Sequence, residues 1–299
     1  MRVLCLITYT DCENKYRSLQ SLGHEVFTQQ YDNRPHSQHH ELVDTAKSWK
    51  PDFILFIGAI EQYHGRPVPR PDILCALNSV APMVHMCDDA GDPPWWPMLE
   101  VYNREKCFTV QVSIDGAPGT PIDHFENGML ELTPIDWRVF KHVLWEQKAI
   151  KLGMVGGLGH SSRKTTTEAL VAKGLLNFCE GPIGRSYDVM ADLMSHTKIT
   201  YNYGITGSTQ SMHVKGRVVE AGFAGSVLLE KQGSPTKNWF EPGVDFLEFD
   251  NAEDAAQIVE TIPDEKLREM AARFHCKVFT HHHPVLFWDR VLKRALGHT

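Results

Sequence analysis

Short, nearly all-apolar runs recur along this chain, and each gives way to a loop and then to a stretch with helical spacing. VLCLIT at residues 3–8 opens the series, and FILFIG at Phe53–Gly58 is its clearest member. ILCALNS running into APMVHMCDDAGD, then CFTVQVS and MLELTP, continue it. Near-continuous apolar strands are what a parallel sheet buries on both faces, and strand–helix alternation is the signature of a Rossmann-like unit. HHELVDTAKSWK has helical spacing, and Pro51 and Asp52 end it. WRVFKHVLWEQKA, residues 137–149, has helical periodicity too and closes the first series.

A second series begins at KLGMVGG and runs through LLNFCEG, ITYNY, SVLLEK and VDFLEFD. Helices are expected over SSRKTTTEALVAKG, over SYDVMADLMSHTK, and from Ser211 to about Phe223. AEDAAQIVETI follows Asn251, a good N-cap, with Asp254 three residues on. PDEKLREMAARFHCKVFTHH starts with a proline, as helices tolerate, and HPVLFWDRVLKRAL reads as a last helix. The expected organisation is a first domain over 1–148, a second over 149–280, and a closing helix over 281–299 that packs back on the first. At about 150 residues per domain, the 299 residues suit two. In such sheets ligands sit at the carboxyl ends of the strands, so the natural site is a cleft that the two domains face.

Net charge is −7, from 30 Lys+Arg against 37 Asp+Glu, which argues against a nucleic-acid partner held mainly through its phosphates. Seven cysteines lie scattered without zinc or redox spacing, as reduced, mostly buried thiols do. The amino-terminal run reads as a first strand rather than a signal peptide, and no apolar stretch reaches membrane-spanning length. The expected location is the cytoplasm.

Several residues stand where chemistry is expected. Gly156, Gly157 and Gly159 follow a strand and precede a helix, a place where backbone N–H groups can meet a phosphate. The string is neither a full dinucleotide fingerprint nor a Walker sequence, and a tight turn explains it equally well. His160 and Arg163 stand at the start of that helix, within reach of a diphosphate or sugar. Asn202, Gly204, Thr206, Gly207 and Ser208 form a loop directly after a strand, with an ordinary βα loop as the plain alternative. Asp88, Asp89 and Asp92 follow the MVHMC run, a typical place for a general base; Asp115 is a further candidate, as is His85, for which a β run favours a structural place. Trp95 and Trp96 suit either sugar stacking or a core. His281, His282 and His283 are adjacent on a helix and should point apart rather than converge on a metal.

From Ser195 to about Phe287 the chain resembles the carboxy-terminal domain of two-Rossmann (GT-B) glycosyltransferases, nearest in pattern to the spore-maturation-type branch. The resemblance rests on ITYNYG, RVVEAGFAGSVLL, WFEPGVDFLEFDNAEDAAQIV and MAARFHCKVFTHHHPVLFWDRVL in that order. It implies an α/β fold of two Rossmann-like domains and transfer of a sugar from a nucleotide-diphosphate donor, without metal or other cofactor. The acceptor, a carbohydrate or small molecule, would bind the first domain. It implies that Glu220 holds the ribose hydroxyls and that Arg217, on the same helical face, meets the diphosphate, with Lys215 as the nearby alternative. Asp88 or Asp89 would serve as base if the reaction inverts. Many relatives carry an earlier acidic residue where this chain has Met212, so that role is not transferred and the stereochemistry stays open. A sugar-nucleotide epimerase or hydrolase and a non-catalytic nucleotide-sugar-binding protein are the competing readings. An NAD-linked enzyme is disfavoured, because the first strand leads into TYTDCEN with no glycine fingerprint.

Overall fold

The computed structural model describes residues 1–8, 13–58, 65–158, 161–180, 186–205 and 209–297. They form two compact units, one of residues 1–136 with 284–299 and one of residues 137–283.

The first unit is built on a six-stranded sheet in the order β2-β1-β3-β4-β5-β6, with every neighbouring pair parallel. The strands are β1 (Arg2–Ile7), β2 (Glu25–Gln30), β3 (Phe53–Gly58), β4 (Met83–Cys87), β5 (Val110–Ser113) and β6 (Gly128–Leu130). Helices α1 (Glu13–Ser21), α2 (His40–Trp49), α3 (Pro71–Val80) and α4 (Trp96–Arg104) alternate with them. Side chains of a strand point alternately to the two faces, and β1 and β3 obey this. Leu4, Leu6, Ile54 and Phe56 enter one core with α2 and α3. Val3, Cys5, Phe53 and Leu55 enter the other, which is closed by the chain's last helix, α10 (Pro284–Leu296), through Phe287, Trp288 and Val291. This two-sided burial is why FILFIG contains no polar side chain.

The second unit has a five-stranded sheet ordered β11-β10-β9-β7-β8, also parallel throughout. Its strands are β7 (Ile150–Gly156), β8 (Leu176–Glu180), β9 (Thr197–Asn202), β10 (Val227–Lys231) and β11 (Leu247–Phe249). Its helices are α5 (Ser161–Ala172), α6 (Tyr187–Ser195), α7 (Gly216–Phe223), α8 (Ala252–Thr261) and α9 (Asp264–His281). At the start of α8 the Asn251 side chain accepts the Asp254 N–H at 3.0 Å. Asp254 returns its carboxylate to the N–H of Asp250 at 2.8 Å, one residue earlier than a capping box requires. Among the described residues no helix is long and apolar enough to cross a membrane.

Two expected helices are corrected. Residues 137–149 carry two short 3₁₀ turns, Trp137–Val139 and Trp145–Gln147, instead of one helix. Their large side chains serve separate partners: Phe140 packs on Tyr187 and Phe223, the Trp145 indole donates to Asp264, and the Lys148 ammonium donates to two carbonyls. Residues 211–215 are not helical either. Met212 makes an isolated antiparallel bridge with Ile205, and the His213 N–H donates to the Gly204 carbonyl at 3.0 Å. These bonds take backbone groups a helix would need, so α7 begins at Gly216.

Candidate active site

In the second unit Gly156, Gly157 and Asn202 stand at the carboxyl ends of β7 and β9, Arg163 stands on α5, and Arg217 and Glu220 stand on α7. Arg163, in the first turn of α5, donates from Nη1 to the Gly157 carbonyl (3.1 Å), from Nε to Tyr203 (3.0 Å) and from Nη2 to Ile205 (3.4 Å). One guanidinium therefore staples the loop after β7 to the loop after β9. Burial, and then the neighbouring Arg217, push its pKa down. Gly157 contributes its carbonyl to that staple. His160 and Ser208 lie outside the described residues.

Arg217 and Glu220 share one face of α7, with Arg217 Nε donating to Glu220 Oε2 at 3.1 Å. The other carboxylate oxygen, Oε1, accepts the Tyr187 hydroxyl at 2.9 Å. Glu220 is thus buried and held from two sides, while Arg217 keeps about a fifth of its side chain exposed. The Arg217 terminal amines lie beside Gly156, where an added Cβ would sit 3.5 Å from Nη1. A fork anchored through Nε against a carboxylate, with its amines beside a strand-end glycine, suits an oxyanion ligand. Lys215 is the N-cap of α7. Gly222 sits where α7 meets α9. A Cβ on it would fall 2.4 Å from Val278 Cγ2, so the glycine lets α7 and α9 touch.

Asn202 is buried and donates from Nδ2 to Glu230 Oε2 at 2.7 Å; the Gly204 N–H reaches Glu230 Oε1 at 3.4 Å. Asn202 therefore supports its loop through Glu230. Burial pushes the Glu230 carboxyl up to about 8. Asn202, the Gly204 N–H and the Arg163 charge act against that shift by favouring the carboxylate. Sequence reading missed both Glu230 and Tyr187. A lone carboxylate ending the apolar run SVLLEK was the available signal for Glu230; nothing local marked Tyr187.

In the first unit Asp88 and Asp89 follow β4 directly. The largely buried Lys15 of α1 donates to Asp88 Oδ2 at 2.6 Å, a partner no sequence signal indicated. Asp89 is half-buried on the same loop, and its carbonyl accepts the Asp92 N–H. Asp115 holds that loop, accepting from the Gly91 N–H and the Ser113 hydroxyl, both at 2.7 Å. His85 is a core residue: it stacks on Phe108 with centroids 4.6 Å apart, and burial pushes its pKa down to about 4. Trp95 is buried, and the Trp96 indole donates to the Ala90 carbonyl at 2.9 Å.

The three histidines diverge. His281 is exposed at the end of α9, His282 packs on Trp239 and Phe240, and His283 packs on Trp137 and Phe279. Among the described residues no three His, Cys, Asp or Glu side chains form a group that could hold a metal.

A family model described as glycosyl transferase-like matches residues 180–293, which include α6, α7, β10 and the tail of the unit. No curated protein matches the sequence. The fold matches crystal structures of GT-B glycosyltransferases over nearly their whole length. Anabaena HepE in complex with UDP-glucose aligns at TM-score 0.65 and 13% identity, over 98% of both chains. A glycosyltransferase from Rickettsia africae aligns at TM-score 0.62 and 8% identity, over 100% of this chain and 99% of that one. Sucrose-phosphate synthase from Thermosynechococcus elongatus aligns at TM-score 0.61 and 9% identity, over 100% of both. The chain therefore has the two-sheet α/β architecture of GT-B proteins.

Proposed function

We propose that this protein is a glycosyltransferase that takes a sugar, a hexose in our reading, from a nucleotide-diphosphate donor. The reading rests on one observation above the others. Within the stretch matched by the glycosyl transferase-like model, a buried carboxylate and an anchored arginine share one helix face beside the glycine end of β7. The order of motifs from Ser195 onward supports placing it in the spore-maturation-type branch.

The second unit binds the donor. Glu220, fixed by Tyr187 and Arg217, retains acceptor capacity on its oxygens for the ribose hydroxyls. The terminal amines of Arg217 meet the diphosphate and offset the charge that grows on it as the sugar leaves. Arg163 positions the loops after β7 and β9, and its charge adds to the field. Lys215, at the helix start, is a further donor contact in this reading, as are His160 and Ser208 by their place in the sequence alone. The first unit binds the acceptor, where Asp88 or Asp89 orients or deprotonates a hydroxyl; Lys15 fixes the orientation of Asp88. We propose that transfer is metal-independent, since cationic side chains carry the diphosphate charge, and that the enzyme works in the cytoplasm.

Calorimetric titration of the folded protein with nucleoside diphosphates and nucleotide sugars tests the reading. One selective binder is expected, weakened about tenfold or more by Glu220→Gln and by Arg217→Ala, with no requirement for added divalent cation. Absence of binding across the panel would overturn the donor-site assignment.

A further inference from the structure

The second unit carries a cavity of about 400 Å³ at the end of its sheet opposite the candidate donor residues. Its lining comes from residues 137–148, which lead into β7, from the carboxyl end of α7 just before β10, and from α9. These are the amino ends of the strands, whereas Gly157, Asn202 and Glu230 stand at the carboxyl ends. Such a volume suits a small ligand of two or three rings.

Its walls are aromatic: Trp137, Phe140, Phe223 and Phe279 all line it. One lining residue has no equivalent in an ordinary apolar core. Lys148 is buried, and its ammonium donates to the Ser195 carbonyl at 2.5 Å and the Ala224 carbonyl at 2.9 Å. Those carbonyls stand at the ends of α6 and α7, whose partial negative charge fixes the ammonium in place. An ammonium has three N–H donors, and two are used. The other cations of the lining are matched by carboxylates: Lys141 pairs with Asp192 at 2.6 Å and Arg268 with Glu146 at 2.8 Å, both at the exposed rim. Among the described residues no carboxylate is paired with Lys148, and burial alone pushes its pKa down to about 8. A buried cation with a donor to spare, set in an aromatic wall, is complementary to an anion carried on a flat apolar body.

We propose that this cavity is a second ligand site, separate from the donor site, for a small aromatic carboxylate or sulfonate whose anionic group meets Lys148. The ring system lies among the phenylalanines, and the exposed rim ion pairs frame the entrance. This site does not depend on the glycosyltransferase reading.

Two fluorescent probes of the same ring class separate the charge from the rings: 8-anilinonaphthalene-1-sulfonate and the neutral N-phenyl-1-naphthylamine. The native protein should bind the sulfonate saturably, one per chain, about tenfold tighter than the neutral probe. Ala272 lines the cavity yet is exposed on α9, so Ala272→Trp obstructs the cavity without entering the core. It should weaken both probes about tenfold or more. Lys148→Met, if folded by circular dichroism, should bring the two probes to equal affinity. Equal affinities in the native protein, or sulfonate binding that Ala272→Trp leaves unchanged, would overturn the proposal. Displacement of the sulfonate by nucleoside diphosphate would overturn it too, by moving the probe to the donor site; failure to bind any nucleotide would leave it standing.

Discussion

At the scale of single residues, two buried titratable groups give the protein opposite pH sensitivities. Glu230 has a folded pKa of about 8 against an ordinary 4.5. Below pH 4.5 both states are protonated and the group contributes no difference. As pH rises from 4.5 to 8 the unfolded chain releases a proton that the folded chain keeps, so stability falls, by several kcal/mol at most. Glu230→Gln removes this slope: urea unfolding should find the variant more stable than the native protein at pH 8, with the advantage gone near pH 4.5. His85 runs the other way, with a folded pKa of about 4 against 6.5. Its neutral form is compatible with the core above pH 6.5, and stability is lost as pH falls from there toward 4, by about 3 kcal/mol. His85→Phe should flatten that acid slope, whatever it costs at neutral pH through loss of the 3.5 Å hydrogen bond between His85 Nδ1 and Gln111 Oε1. Sequence legibility also has its limit at this scale. Arg217 and Glu220 were readable because three residues on a helix bring them together. Glu230 and Tyr187 were not, because their partners lie 28 and 33 residues away and meet only after strands and helices have packed.

At the scale of elements, the runs of apolar residues identified the central strands because a two-sided parallel sheet leaves few polar positions, His85 on β4 and Glu230 on β10 among them. Of the two misread segments, residues 211–215 spend backbone groups on Gly204 and Ile205, and residues 137–149 give large side chains separate partners. Residues 137–149 show apolar spacing of helical period, yet Trp145 and Phe140 are buried in different directions and Lys148 is tied to two helix ends. The α7–α9 contact is the element junction most open to test. Gly222 leaves no room for a methyl group against Val278. Gly222→Ala should destabilise the protein by about 1–3 kcal/mol through overpacking, despite the better helix propensity of alanine. Val278→Ala opens the space, so the double variant should be more stable than the sum of the single changes requires; additive effects would show that the two helices do not meet as described.

At the scale of the whole molecule, the parallel βα order was legible from strand and helix alternation, and so was the return of the last helix to the first domain. The last helix belongs structurally with the first 136 residues. What carries it there is an amphipathic face whose Phe287, Trp288 and Val291 cover Val3, Cys5, Phe53 and Leu55. Trp288 also donates its indole N–H to the Ser18 hydroxyl at 2.8 Å, and Arg290 grips Glu131 through two bonds of 2.6 Å. Removing a buried tryptophan costs about 3–5 kcal/mol. Trp288→Ala should therefore lower the stability of the first unit by about that much, as urea unfolding would read it. The described core partners of Phe287, Trp288 and Val291 belong to the first unit, so the loss is expected to be confined to it. Hydrogen exchange should speed up in β1, β3 and β4 of the Trp288→Ala protein while β7, β9 and β10 keep their protection. Equal loss of protection in both sheets would mean that the two units unfold as one cooperative body, with α10 stabilising the second through the first.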